Sequence, residues 1–311
     1  MNEQLWIAIL APILVAAIVL AVVGVRRRAA AARRVESGRP HAALPAPGRR
    51  TSLPALHIPR RLPVVLVHGL LGFDALRVPG AQIDYFRGVP DRLRELGVDV
   101  RVARVPPARG VAARARALAA QLDVAGQVVI AHSMGGLDAR HAIARLGVAS
   151  RVAALVTVTT PHLGTPIAEL GSAIVGGSRG VLERLGIERA AFRDLTPARM
   201  REFNATVRDA PRVRYVSIVA RVPLAGAPAM HPLLLPTYAY LRGASGDNDG
   251  VVPTDSQRWG EVIAEVEADH WAVIGWSGRF DAAGLYVDAL RQLGYRLERP
   301  APTSRSSTAR S

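Results

Sequence analysis

The segment Ile130-Ala131-His132-Ser133-Met134-Gly135-Gly136 restricts this chain more than any other, because it sets a serine among small residues directly after an apolar run. A nucleophilic serine presented on a sharp strand-to-helix turn requires strained backbone angles. Bulky side chains two positions to either side would strike the neighbouring strand and helix. Ala131 and Gly135 occupy those positions. The turn implies a strand before it and a helix after it, in a sheet whose edge can carry a reactive hydroxyl.

The flanking pattern fits that requirement. Apolar runs at Pro63–Val67, Gln127–Ala131 and Val152–Thr159, and the alternation of apolar residues with Arg at Val98–Ala103, predict strands, and Asp84–Leu96, Val111–Leu122 and Gly136–Leu146 predict helices. Alternation at this spacing is that of parallel crossover units, so the expected fold is α/β with a mostly parallel, doubly wound sheet. Val213–Ala220 and Val262–Val266 are further strands, with Asp281–Leu293 as a closing amphipathic helix. The chain has 50% hydrophobic but only 5% aromatic residues, which suits a Val, Leu, Ile and Ala core between sheet and helices.

The two ends differ from this middle. Leu5–Val25 is an unbroken apolar run long enough to cross a hydrocarbon core, with Trp6 at an interfacial position. Met1-Asn2-Glu3-Gln4 lacks the positive charge that opens a signal peptide, and the run is too long for one, so a retained anchor is expected. Arg26, Arg27, Arg28, Arg33 and Arg34 follow it, a patch suited to anionic lipid head groups that places the remainder of the chain on the cytoplasmic side. The expected organisation is an anchor with basic flank at 1–28, a Pro, Ala and Arg-rich linker at 29–59, a catalytic domain at 60–298 and a polar tail at 299–311.

Net charge is +15, yet every cation is arginine and they are scattered along the chain without interleaved aromatics. Nucleic-acid binding is therefore not expected. The absence of cysteine excludes disulfides and thiolate metal sites.

A serine hydroxyl is a weak nucleophile at neutral pH and needs a base, itself oriented by a third group. In doubly wound hydrolases the chain order is serine, acid, histidine. Of eight histidines only His270 follows the Gly-rich turn Gly246-Asp247-Asn248-Asp249-Gly250-Val251-Val252. Asp249 and Asp247 both suit the acid, with Asp255 and Asp269 further candidates, and spacing does not choose among them. Two main-chain donors must also meet the developing oxyanion. Val67-His68-Gly69-Leu70-Leu71-Gly72 follows the first strand, and its glycines are expected to turn the chain so that the Leu70 amide faces Ser133, with the Met134 amide as second donor. His68 and His132 read as structural.

With these residues in view the chain resembles the bacterial triacylglycerol lipases of the true-lipase family, an α/β-hydrolase group. The resemblance rests on Val64–Asp74, on Tyr85-Phe86-Arg87-Gly88-Val89-Pro90, on the serine turn continuing through Gly136-Leu137-Asp138-Ala139-Arg140, on Val158–Thr165 and on Asn248–Val252. It implies Ser133 as nucleophile, Asp249 as acid, His270 as base, and Leu70 and Met134 as oxyanion donors. The implied activity is hydrolysis of lipid esters through an acyl-serine, with phospholipase or acyltransferase chemistry, or an inactive membrane-tethered scaffold, as alternatives. Those lipases commonly hold calcium near the histidine through carboxylates. Here Trp271-Ala272-Val273 follows His270 and no acidic residue lies between Pro211 and Gly246, so neither calcium nor any other cofactor is expected. Ile167–Val175 and the proline-interrupted Val222–Leu241 are candidates for a lid and acyl pocket, the second as a shaped loop.

Overall fold

A computed structural model describes residues 62–78, 81–295 and 297. The expected anchor at Leu5–Val25, the linker and the tail lie outside the described residues. Among the described residues no helix is long and apolar enough to cross a membrane.

Among the described residues six parallel strands form the central sheet in the order β4-β1-β5-β6-β7-β8: β1 (Val64–Val67), β4 (Val100–Val102), β5 (Gln127–His132), β6 (Val152–Val158), β7 (Arg214–Arg221) and β8 (Glu261–Glu267). A separate antiparallel hairpin joins β2 (Ala75–Val78) to β3 (Ala81–Asp84). The chain winds from β1 outward to β4, then returns across β1 to build β5 and the strands beyond it. That reversal opens a crevice at the carboxyl ends of the strands, where open α/β sheets carry their sites.

Central strands are apolar on both faces because helices cover both. Val64, Leu66, Val128, Ile130 and Val156 point to one layer, where α1 (Val89–Glu95) and α9 (Ala282–Gln292) supply Val89, Leu93, Tyr286 and Leu290. Val65, Val67, Val129, Ala131 and Leu155 point to the other, against α2 (Val111–Ala119) and α3 (Met134–Arg145). The alternation follows the two-residue side-chain period of a strand, and fully burying each Val, Leu or Ile stabilises by roughly 1.5–3 kcal/mol. β8 closes one edge with its exposed glutamates, and Glu261 and Glu265 pair with Arg214 and Arg258. Edge charges of this kind discourage pairing with a further strand.

The helix expected from Asp84 begins only at Val89. Asp84 still belongs to β3, Gly88 sits in the left-handed region at φ 70°, and Pro90 then starts the helix. Over the carboxyl ends of the strands lie α4 (Ile167–Gly177), α5 (Val181–Arg184), α6 (Arg189–Arg193) and α7 (Pro197–Thr206). The stretch expected as a loop at Val222–Leu241 makes two short 3-10 turns, Leu224–Ala229 and Pro232–Leu234, and then becomes helical in α8 (Leu235–Ser245). Pro236 falls in the first turn of α8, where its missing N–H is not needed, so it starts the helix instead of breaking it. Leu70 and Leu71 pack under this cover against Ile167, Phe192 and Leu241.

Candidate active site

Ser133 stands between β5 and α3 at φ 55° and ψ −130°, a conformation that L-residues rarely adopt. The turn is held from both sides, since Ser133 N–H donates to Val158 O at 2.9 Å and Thr160 Oγ1 donates to Ser133 O at 2.8 Å. Gly135 is required by close approach, because a Cβ there would lie 2.8 Å from the carbonyl oxygens of both Val67 and His68. The small-residue pattern thus has the steric cause that the sequence suggested.

Asp249 lies in the turn after α8, wholly buried. Its Oδ1 accepts from Val251 and Val252 N–H at 2.9 and 2.7 Å, leaving Oδ2 for His270 Nδ1 at 2.7 Å. His270 N–H donates to Asp249 O at 2.9 Å, so main chain and side chain bind the two loops together. A carboxylate can only accept, so Nδ1 carries the proton and Nε2 is left with its lone pair free to act as a base. The His132 and His270 ring centroids are 4.6 Å apart, which seats the histidine against the serine turn. The Ser133 hydroxyl itself makes no hydrogen bond among the described residues. Nucleophile-to-base contacts are often loose before substrate binds and tighten in the complex.

The competing acids are committed elsewhere. Asp247 pairs with Arg221 and Arg242, and Asp255 is exposed near Arg258. Asp269 accepts three main-chain donors, from His231 at 2.9 Å on one oxygen and from Trp271 and Ala272 at 2.9 and 2.8 Å on the other. Tertiary structure therefore makes the choice that spacing left open.

The Leu70 and Met134 amides have no acceptor among the described residues, whereas neighbouring Leu71 N–H donates to Pro107 O at 2.8 Å. The expectation that glycines turn this loop needs correction, because the left-handed residue is Leu71, at φ 57°. Gly69 serves close approach instead: a Cβ there would lie 2.8 Å from Ser133 Cβ and 3.3 Å from Ser133 Oγ.

Beneath the loop lies a buried ion pair that the sequence did not reveal. Arg114 Nε donates to Asp138 Oδ2 at 2.7 Å, Nη2 to His68 O at 2.7 Å, and Nη1 to Pro106 O and Pro107 O at 2.8 and 3.3 Å. Both side chains are fully buried. The one available signal was two charges, Asp138 and Arg140, on a helix whose first turns are otherwise small and apolar. Arg140 is likewise buried and stacks 3.5 Å from the Trp259 ring centroid.

Three histidines are held neutral. Burial, aided by Arg114, lowers His68 to about 3. Burial with His270 nearby, and burial with Arg140 nearby, push His132 and His162 well below the usual value. Each is protonated first in the unfolded chain, so its stabilising contribution is complete above the ordinary value of 6.5 and is lost as pH falls toward the folded value. Asp138 works oppositely in the same window, because burial raises its carboxyl to about 7 and the folded state takes up that proton first. Three histidines against one carboxyl leave a net loss of stability as pH falls from about 6.5 to 5. Urea denaturation across that range checks this, and a flat profile would show that the histidines are not buried neutral.

A parallel six-stranded sheet with a strained serine between β5 and α3, an acid after β7 and a histidine after β8 defines the α/β-hydrolase fold. The solved structures agree. A metagenomic carboxyl esterase superposes with a TM-score of 0.63 at 23% identity, covering 82% of each chain. The mature lipase of Bacillus licheniformis superposes at 0.60 and 21% identity, covering 80% of this chain and 97% of that one. In sequence the chain is similar to triacylglycerol lipases: it is 27% identical to triacylglycerol lipase 2 of Saccharomyces cerevisiae over 73% of this chain and 84% of that protein. It is also 36% identical to a triacylglycerol lipase of Vibrio cholerae, over 37% of each chain. No family model matches the chain.

Proposed function

We propose that this protein is a serine carboxylic ester hydrolase that cleaves acylglycerol-type lipid esters through an acyl-serine intermediate. The observation that carries the assignment is the 2.7 Å hydrogen bond from His270 to buried Asp249, formed beside a serine held at φ 55°. His270 Nε2 takes the Ser133 proton as Oγ attacks the ester carbonyl, and the Leu70 and Met134 amides receive the oxyanion. Collapse expels the alcohol, which takes its proton from the imidazolium. Water, deprotonated by the same imidazole, then releases the fatty acid. Asp249 keeps Nδ1 protonated and stabilises the imidazolium between these steps.

No calcium takes part in this reading. The donor set around His270 does not fit such an ion: Asp269 is saturated by three N–H groups, Asp249 by His270 and two N–H groups, and Asp247 faces two arginines. Hard divalent cations need several free oxygen ligands. The N-terminal run Leu5–Val25 anchors the enzyme in a membrane, and the arginines after it favour a cytoplasmic catalytic domain facing the lipid that supplies its substrate.

The test uses the full chain in detergent, assayed on triacylglycerol, phospholipid and short p-nitrophenyl esters with and without EDTA, alongside labelling by a fluorophosphonate probe. Triacylglycerol and p-nitrophenyl esters are expected to be cleaved equally well with the chelator present. Cleavage of phospholipid alone would reassign the substrate, EDTA sensitivity would restore a metal, and failure to label would remove the serine mechanism.

A further inference from the structure

Tyr85 lies at the middle of a buried hydrogen-bonded chain that the steps above do not use. Gly69 N–H donates to Tyr85 Oη at 3.1 Å, Tyr85 Oη lies 2.8 Å from His132 Nδ1, and His132 Nε2 lies 3.0 Å from the carbonyl oxygen of His270. A carbonyl can only accept, so His132 Nε2 carries the proton. The neutral ring then has a bare Nδ1, the Tyr85 hydroxyl donates to it, and the phenolic oxygen is left to accept from Gly69. Each group is used once and all bonds run in one direction, the arrangement in which neighbouring bonds reinforce one another.

The electrostatics favour the same protonation states. Burial, with His270 beside it, holds the His132 imidazole well below its usual value, and burial raises the Tyr85 phenol far above its own. Tyr85 is also braced. Its ring meets Phe86 edge-on at 5.0 Å between centroids and Phe73 at 6.0 Å, and Trp276 Nε1 donates to its carbonyl at 2.8 Å.

The two ends of this chain are the two halves of the machinery. Gly69 immediately precedes the Leu70 amide assigned to the oxyanion, and the carbonyl at the other end belongs to His270 itself. We propose that Tyr85 and His132 are positioning residues that set the spacing between the oxyanion loop and the general base. Neither touches substrate. The inference rests on the ester-hydrolase reading of Ser133 and His270. A misplacement of the reacting groups by an ångström is enough to cost about 100-fold in rate, so a break in this link is read in turnover before it is read in binding.

The experiment compares the full chain with Tyr85→Phe, His132→Phe and the double variant on a soluble p-nitrophenyl ester, with Ser133→Ala as control. Each single variant is expected to lose about 10- to 100-fold in kcat with KM within about threefold of the wild type. The double variant should fall within about threefold of the worse single, because one chain broken twice is no more broken than once. Wild-type kcat in Tyr85→Phe, a loss confined to KM, or multiplicative losses would overturn the proposal.

Should His132→Phe not fold, the Tyr85→Phe kinetics and nitrogen NMR of the wild-type histidines decide. His132 is expected neutral with its proton on Nε2, and an Nδ1-protonated or cationic ring overturns the inference. A wild type that neither hydrolyses nor is labelled by a fluorophosphonate sinks the functional reading first, and the positioning role with it. A labelled wild type with an unaltered Tyr85→Phe variant sinks the positioning role alone.

Discussion

Replacement of Ser133 with alanine is expected to lower kcat/KM for ester hydrolysis by about 10,000-fold or more while leaving the fold intact. Alanine keeps the Cβ and the same main-chain groups, so the residue 133 N–H still donates to Val158 O and its carbonyl still accepts from Thr160 Oγ1. The strained turn at φ 55° is therefore built as before, and only the hydroxyl is lost. What remains is the part of the rate that the oxyanion donors and binding supply without a nucleophile. Steady-state kinetics on a p-nitrophenyl ester, with the thermal midpoint as the fold control, provide the measurement. Activity within tenfold of the wild type would place the nucleophile elsewhere.

The second large effect is on stability. Arg114→Met is expected to destabilise the domain by about 3–5 kcal/mol, the usual consequence of removing one partner from a buried pair. Arg114 neutralises Asp138 and satisfies the carbonyls of Pro106, Pro107 and His68, and its bonds to Asp138, Pro107 and His68 are buried. Asp138 limits its share of the loss by binding a proton, which its raised pKa of about 7 already favours. The buried carbonyls of Pro107 and His68 have no such escape. Combining Arg114→Met with Asp138→Leu should recover part of the loss, because an apolar pair of similar volume replaces an unpaired charge. Urea denaturation of both variants checks this. A cost below about 1 kcal/mol for the single variant would mean that the pair is a bystander. Since His68 directly precedes Gly69, the same variant should also loosen the oxyanion loop.

The lines of the sequence that proved legible share a property: their cause is local. Ala131 and Gly135 mark a turn because sterics at that turn reject anything larger, and the contacts of Gly135 with Val67 and His68 show the rejecting atoms. The apolar runs of β1, β5 and β6 read as buried strands because burial on both faces removes the polar alternation of a half-exposed strand. Boundaries were less visible. Asp84–Leu96 has helical composition, yet Tyr85 and Phe86 stay in the turn, since Gly88 and Pro90 delay the helix to Val89. Pro236 shows the reverse error: a proline read as a breaker lies in the first helical turn, where it is harmless.

The site divides the same way. Ser133 could be read from its own neighbours and His270 from chain order, but nothing within a few residues distinguishes Asp249 from Asp247 or Asp269. All three lie in turns rich in hydrogen-bond donors. Tyr85, Arg114 and Asp138 gave still less away, because their partners lie far along the chain: Tyr85 bonds Gly69 and His132, 16 and 47 positions off, and Arg114 bonds Asp138 and the His68 carbonyl, 24 and 46 positions off.

By itself, then, the sequence determined the alternation of the six central strands with the helices flanking the serine turn, the steric signature of that turn and the supply of one late histidine behind an acidic loop, all consequences of short-range sterics and periodic burial. Only the tertiary structure decided which carboxylate faces the imidazole, which guanidinium underpins the oxyanion loop, and which tautomer His132 holds. Those choices depend on which hydrogen-bonding groups are already spent on partners far away in the chain, and that account closes only when the sheet has brought the loops to one edge.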